Sequence, residues 1–180
     1  MILVTTGTNE QPFDRLVRAA AMLDVAEPLF VQHGSSKVPH GPGEWVDFLS
    51  FDELAERMRD ARAVVCHAGV GSIMLARRCG KRPIVLPRRV HLSEAVDDHQ
   101  LPLARRLDAS GIVHLVEDER KLASAIAEVD GRAAAARVTQ HLPNRQALTT
   151  DLQAYLATLM GGVKVPAAPA ALAEHSDALS

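Results

Sequence analysis

Ala63–Gln100 reads AVVCHAGVGSIMLARRCGKRPIVLPRRVHLSEAVDDHQ, and the fold is decided there. Ala63 to Cys66 is a short apolar, β-branched run, the pattern of a parallel strand buried on both faces. His67-Ala68-Gly69-Val70-Gly71-Ser72 follows at once, and Ile73 to Cys79 continues as an apolar helical segment. Gly80 stops that helix, and Pro83 to Leu86 forms the next strand. The unit is strand, glycine turn, helix, strand. A glycine turn so placed presents free backbone N–H groups at the positive end of a helix dipole, which suits a phosphate or another anion. On spacing alone, His67 is either a donor to that anion or a strand-end histidine bonded to local backbone.

Working outward, the same arrangement occurs at the start of the chain. Met1 to Thr5 makes the first strand, Thr6-Gly7-Thr8-Asn9 the turn, and Pro12 opens a helix with Phe13, Leu16, Val17 and Ala20 on one face. This turn reads either as a second anion cradle or as a plain βα connection. It lacks the G-x-G-x-x-G spacing of a dinucleotide fingerprint. Leu29 to Gln32 is the second strand, residues 35–43 an exposed loop, and Val46 to Leu49 a third strand. His33 and His40 read as solvated, and Trp45 as packing. Ser50 or Asp52 caps a helix over Glu53 to Asp60, with Leu54, Met58 and Ala61 facing inward.

Past the central stretch, Asp97 or Asp98 caps a helix that holds Pro102 in its first turn and turns Leu103, Ala104 and Leu107 inward. Gly111 ends it, and Ile112 to Val116 is the sixth strand. Asp118 caps a helix whose core stripe is Leu122, Ala125, Ile126 and Val129. Pro143 opens a last helix bearing Leu148, Leu152, Tyr155, Leu156 and Leu159. Residues 1–160 are expected to form one domain. Residues 161–180, rich in Ala, Pro, Gly and Ser, are expected to be a disordered tail.

Strands alternating with helices predict an α/β fold, a Rossmann-like doubly wound parallel sheet of about six strands. Ligands in such sheets bind beyond the carboxyl ends of the strands, where the strand order reverses. The turns at Thr6, His67 and Pro87 all follow strands and should meet there. The 180 residues carry a net charge of −2, which favours neither nucleic acid nor an anionic membrane surface. Cys66 and Cys79 fit a reducing cytoplasm rather than a disulfide framework. Nothing resembles a signal peptide, and no apolar run approaches the roughly 20 residues of a membrane span. The eight histidines show no tight ligand spacing and there is no D-x-D pair, so no metal is expected.

H-A-G-x-G-S at His67–Ser72, G-K-x-P-I-V-x-P-R-R at Gly80–Arg89 and D-D-H-Q at Asp97–Gln100 resemble the C-terminal domain of glycosyltransferase family 28. Within it, the likeness is to the short single-domain subunits of exopolysaccharide and dolichol-linked N-glycan assembly. The matching runs cover Met1 to about Gly111. They are specific together, although each alone is weak.

The resemblance implies the C-terminal, donor-binding half of a GT-B fold. It places Thr6, Gly7, Thr8, His67, Gly69, Gly71 and Ser72 at the diphosphate of a UDP-sugar, and Asp98, His99 and Gln100 at the donor sugar. Asp98 as a helix cap alone is the rival reading. Arg88 and Arg89 read as an anion or partner contact, or equally as a solvated loop pair. Many relatives carry a ribose-binding glutamate where this chain has Leu75. The ribose and uracil contacts and the catalytic base are therefore unassigned.

By the same comparison the chain starts at the first strand of a transferase's second domain. The expected function is thus the donor-binding subunit of an inverting, UDP-sugar-dependent glycosyltransferase. It would act on a lipid-diphosphate-linked saccharide for exopolysaccharide or capsule. A membrane-anchored acceptor-binding subunit would complete it and hold it at the cytoplasmic membrane face. The UDP-sugar enters as substrate, and no cofactor is expected. The alternative is a non-catalytic nucleotide-binding or scaffolding subunit; a nicotinamide-dependent oxidoreductase is a distant third.

Overall fold

The computed structural model describes residues 1–136, which fall within one compact unit, Met1–Arg137. The helix expected from Pro143 and the tail expected over 161–180 lie outside the described residues.

Strands β1 (Ile2–Thr5), β2 (Leu29–Gln32) and β4 (Ala63–Cys66) are buried at every position. Helices cover both faces, so these strands read apolar without alternation. With β3 (Glu44–Val46), β5 (Ile84–Val85) and β6 (His114–Leu115) they form a six-stranded parallel sheet in the order β3-β2-β1-β4-β5-β6. The helices are α1 (Asp14–Ala21), α2 (Phe51–Asp60), α3 (Val70–Arg78), α4 (Gln100–Ala109) and α5 (Leu122–Ala136). Phe13, Leu16 and Ala20 join Leu122, Ala125 and Ile126 in a core against Ile2, Val4, Val65 and Ile84. On the other face Ala55, Met58, Leu75 and Ala76 pack on Leu3, Phe30 and Val64. Met58 is fully buried, and a methionine truncated to alanine at such a site costs about 2–5 kcal/mol.

The chain winds outward from β1 in one direction and from β4 in the other. The order reverses between these two central strands, which pair in register from Ile2↔Ala63 to Thr5↔Cys66. Their carboxyl ends open the crevice that the doubly wound pattern predicts.

Several boundaries differ from expectation. The third strand is Glu44–Val46, because its register follows β2, with Phe30↔Glu44 and Gln32↔Val46. Ser50 then makes a reciprocal capping box with Glu53, starting α2 at Phe51. Helix α3 begins at Val70 rather than Ile73, with Gly69 as its N-cap. Neither Asp97 nor Asp98 caps α4. His99 holds that position without a side-chain bond, Asp97 accepts from the His99 amide, and Asp98 accepts from the Val90 amide. His33 is half-buried and its Nδ1 meets the Ser36 carbonyl, so it is not simply solvated.

Candidate functional site

The turn after β1 is held from inside by Gln32, a 3 % exposed residue at the carboxyl end of β2. Gln32 Oε1 accepts from Thr5 Oγ1 at 2.5 Å and from the Gly7 amide at 3.3 Å. Its Nε2 donates to the carbonyls of Gly7 and Asp47 at 3.1 and 2.8 Å. The Thr6 amide and hydroxyl both donate to the Gln32 carbonyl, and the Thr6 carbonyl accepts from Arg88. Every polar group of Thr6 is therefore taken up within the protein, as is the Gly7 amide. Of the three residues expected to line an anion here, Thr8 alone is exposed.

The turn after β4 is different. Helix α3 starts directly, so the amides of Val70, Gly71 and Ser72 have no intrahelical partner and stand at the positive end of its dipole. Gly71 is exposed with open space around it, and Ser72 is half-buried. His67 lies between the two turns. A Cβ on Gly69 would run into its Nε2, and a Cβ on Gly7 into its Cε1. Both positions therefore admit only glycine beside the ring, and Gly7 also adopts φ +79°. Nδ1 is buried and has no hydrogen-bond partner among the described residues. Burial, with the positive charge of Arg88 as the second cause, pushes the imidazole down to about 4. His67 is thus a neutral ring at pH 7, with Nε2 beside the open end of α3.

Beyond β5 the chain crosses in front of this point. Arg88 is 2 % exposed, which excludes the solvated reading. Its Nη1 donates to the carbonyls of Gln11 and Glu94 at 2.8 and 2.9 Å, and its Nη2 to Thr6 at 2.9 Å. The guanidinium also stacks on Phe13, 4.7 Å from the ring centre. Arg89 is half-buried and donates to the Glu117 carbonyl. Gln100 Oε1 accepts from the Arg88 amide at 3.1 Å, which sets the start of α4 against the crevice, while Asp98 and His99 are exposed beside it.

Two supports of this wall were not expected. Glu94 and Arg15 form a buried ion pair, 2.9 and 3.0 Å between their polar atoms, and Arg15 also reaches the Pro87 carbonyl. Glu94 further accepts from the Arg89 amide. Nothing in sequence spacing links residues 79 apart. Gln32 did carry a signal, being a polar residue that closes an apolar strand. Leu75 is 7 % exposed and packs in the core beside Ala76, so it offers no polar group to a ribose. Among the described residues, no group of three or more His, Cys, Asp or Glu side chains is placed to hold a metal ion.

A cavity of about 850 Å³ lies elsewhere: Arg18, Met22, Leu92, Glu119 and Ala123 are among its lining, and His67 and the start of α3 are not. The crevice is open rather than enclosed. Val38, Phe48, Phe51, Leu92 and Val96 are large apolar side chains exposed on the segments that follow β2, β3 and β5.

The model of the glycosyltransferase family 28 C-terminal domain matches residues 1–149. The chain is 32 % identical over 123 residues to the UDP-N-acetylglucosamine transferase subunit ALG13 of Yarrowia lipolytica, covering 59 % of this chain and 60 % of that protein. Over 78 residues it is 35 % identical to the UDP-N-acetylglucosamine--N-acetylmuramyl-(pentapeptide) pyrophosphoryl-undecaprenol N-acetylglucosamine transferase of Rhodospirillum rubrum, covering 43 % of this chain and 19 % of that one. The crystal structure of Acinetobacter baumannii MurG has the same fold, with a TM-score of 0.54 and 20 % identity over 84 % of this chain and 48 % of its own. The chain spans less than two thirds of each of these proteins.

Proposed function

Because the chain belongs to the glycosyltransferase family 28 C-terminal domain family, we propose that it is the donor-binding subunit of a UDP-sugar-dependent inverting glycosyltransferase. The observation that carries this reading is the open start of α3 beside the neutral, glycine-flanked His67 at the strand-order reversal. Anion-binding amides at a helix N-terminus suit the diphosphate. Both curated relatives are named for UDP-N-acetylglucosamine transfer, which makes that sugar the first donor to assay. One is named as a subunit and the other for a pyrophosphoryl-lipid acceptor, which supports a partnered enzyme acting on a lipid-diphosphate-linked saccharide. Exopolysaccharide or capsule is the setting proposed.

In this mechanism the acceptor hydroxyl attacks the anomeric carbon as the bond to UDP breaks, and the configuration inverts. The charge gathering on the departing diphosphate meets the amides of Val70, Gly71 and Ser72, the Ser72 hydroxyl and His67 Nε2–H. Gln100, steadied by the Arg88 amide, and the exposed Asp98 and His99 face the sugar. The chain's own residues supply leaving-group stabilisation. A partner supplies the acceptor, the base and exclusion of water, since an open crevice screens these charges. The exposed apolar side chains of Val38, Phe48, Phe51 and Val96 suit such a partner, and no helix of the described residues is long and apolar enough to cross a membrane. The partner would then carry the membrane anchor.

Calorimetric titration with UDP, alone and with the partner, is the direct test. Binding weakened about tenfold or more in His67→Ala is expected, since a bond to a charged group is lost. No binding in either state would end the donor-site reading. Val96→Asp should impair partner association and leave UDP binding intact.

The second reading, a non-catalytic nucleotide-binding or scaffolding subunit, is favoured by the buried Leu75 alone. Turnover by the co-expressed pair that survives His67→Ala and Gln100→Ala would support it.

A further inference from the structure

Arg88 is a buried cation without a carboxylate of its own. Its acceptors are the neutral carbonyls of Thr6, Gln11, Pro12 and Glu94. The Glu94 carboxylate is instead occupied by Arg15 and the Arg89 amide. Among the described residues, Arg88 Nε is also buried without a partner, as is His67 Nδ1. The two residues approach around the β1 turn: Arg88 grips the Thr6 carbonyl, and the next residue, Gly7, lies against the His67 ring. The opposite nitrogen, Nε2, is the ring atom nearest Gly69, at the start of α3.

Resting on the donor-site reading above, we propose that Arg88 is a positioning residue for the leaving diphosphate: it keeps the single ring proton of neutral His67 on Nε2, where it can be donated to the phosphate. Two positive ends compete for the ring's lone pair. The α3 terminus carries about half a charge and opens to water, whereas Arg88 carries a full charge in a dry wall, so Arg88 prevails. Nδ1 and the Arg88 Nε–H are both buried without a hydrogen-bond partner among the described residues, so a lone pair on Nδ1 avoids a second unpaired buried donor beside that cation. Among the described residues, Arg88 is the charge that acts on the ring. The β1 turn and the first turn of α3 carry no titratable group beside it, and neighbouring Cys66 is a thiol pushed up to about 12 by burial. The tautomer arises from charge placement rather than from a direct bond.

Long-range ¹H–¹⁵N spectra of the imidazoles, taken on the full chain without nucleotide, read the tautomer directly. The wild type should show Nε2–H at His67, and Arg88→Lys, which keeps the charge, should retain it. Arg88→Gln, which keeps a donor but no charge, should shift population to Nδ1–H and weaken UDP about tenfold, the scale of one charge-assisted hydrogen bond. A wild-type ring protonated at Nδ1 overturns the proposal even where Arg88→Gln does not fold. So does an unchanged tautomer in a folded Arg88→Gln. Because this signal needs no nucleotide, its failure is distinct from a wild type that does not bind UDP, which would overturn the donor-site reading instead.

Discussion

The turn after β1 and the turn after β4 look alike on paper, each a strand, a glycine-bearing turn and a helix. Folded, they are opposites. The β1 turn has its amides and carbonyls bound by Gln32 and Arg88, and its helix does not begin until Asp14. The β4 turn passes straight into α3 and leaves that helix's first amides open. A glycine after a strand therefore does not by itself make an anion site. What decides is whether the helix starts at the turn and whether a neighbouring side chain has already taken the free backbone groups.

The sharpest way to test this contrast is to add one carbon to each turn. Gly7→Ala places a Cβ against the His67 ring at a φ of +79°, so left-handed strain and overpacking add to roughly 2–4 kcal/mol lost in urea unfolding. Gly71→Ala meets nothing within 4 Å and replaces a helical glycine, so stability should rise by roughly 0.5–1 kcal/mol. UDP should nevertheless bind about tenfold more weakly to Gly71→Ala, because the added carbon stands where the phosphate must approach the backbone. A Gly7→Ala protein as stable as wild type would show that the β1 turn is not the locked one.

The histidine shared by the two turns gives a pH signature of similar size. In the unfolded chain the imidazole takes its proton near 6.5, but in the fold not until about 4. Its contribution is therefore complete above 6.5 and is lost as pH falls towards 4, by up to about 3 kcal/mol. Unfolding measured across that window should show the loss in wild type and a flatter curve in His67→Asn. Next in size is Gln32→Ala, which takes the acceptor from the Thr5 hydroxyl and the donor from the Gly7 and Asp47 carbonyls. It should cost about 2 kcal/mol in thermal or urea unfolding. If Gln32→Ala is neutral, the β1 turn is not held by that side chain.

These same features show what a sequence carries and what it does not. Strands β1, β2 and β4 were legible because burial on both faces forces an unbroken apolar run. Edge strand β3 was displaced because its pairing with β2, rather than its own apolar residues, sets its limits; Phe48 lies beyond the strand and is exposed. The first turn of α3 was missed because Gly71 and Ser72 are weak helix formers, whereas Gly69 and the preceding strand fix where it starts. His67, Gly69 and Gly71 were found as a group because they are neighbours in the chain. Arg88 reads in sequence as an anion or partner contact or as one of a solvated loop pair, and only its fold partners, up to 82 residues away, show that it is internal.

The buried tie between Arg15 and Glu94 also sets an order of events during synthesis. Strands β1, β2 and β4 are all made before Glu94 exists, so much of the sheet can collapse around an Arg15 that still lacks its counter-charge. At about 5–20 residues per second, the wait from one residue to the other is roughly 4–16 seconds. Late in it, between the synthesis of β4 and that of β5, β4 is an uncovered edge, open to pairing with any passing strand until β5 docks. The sheet is therefore old by the time the crevice is complete, and the ribosome finishes the binding wall only after the scaffold behind it.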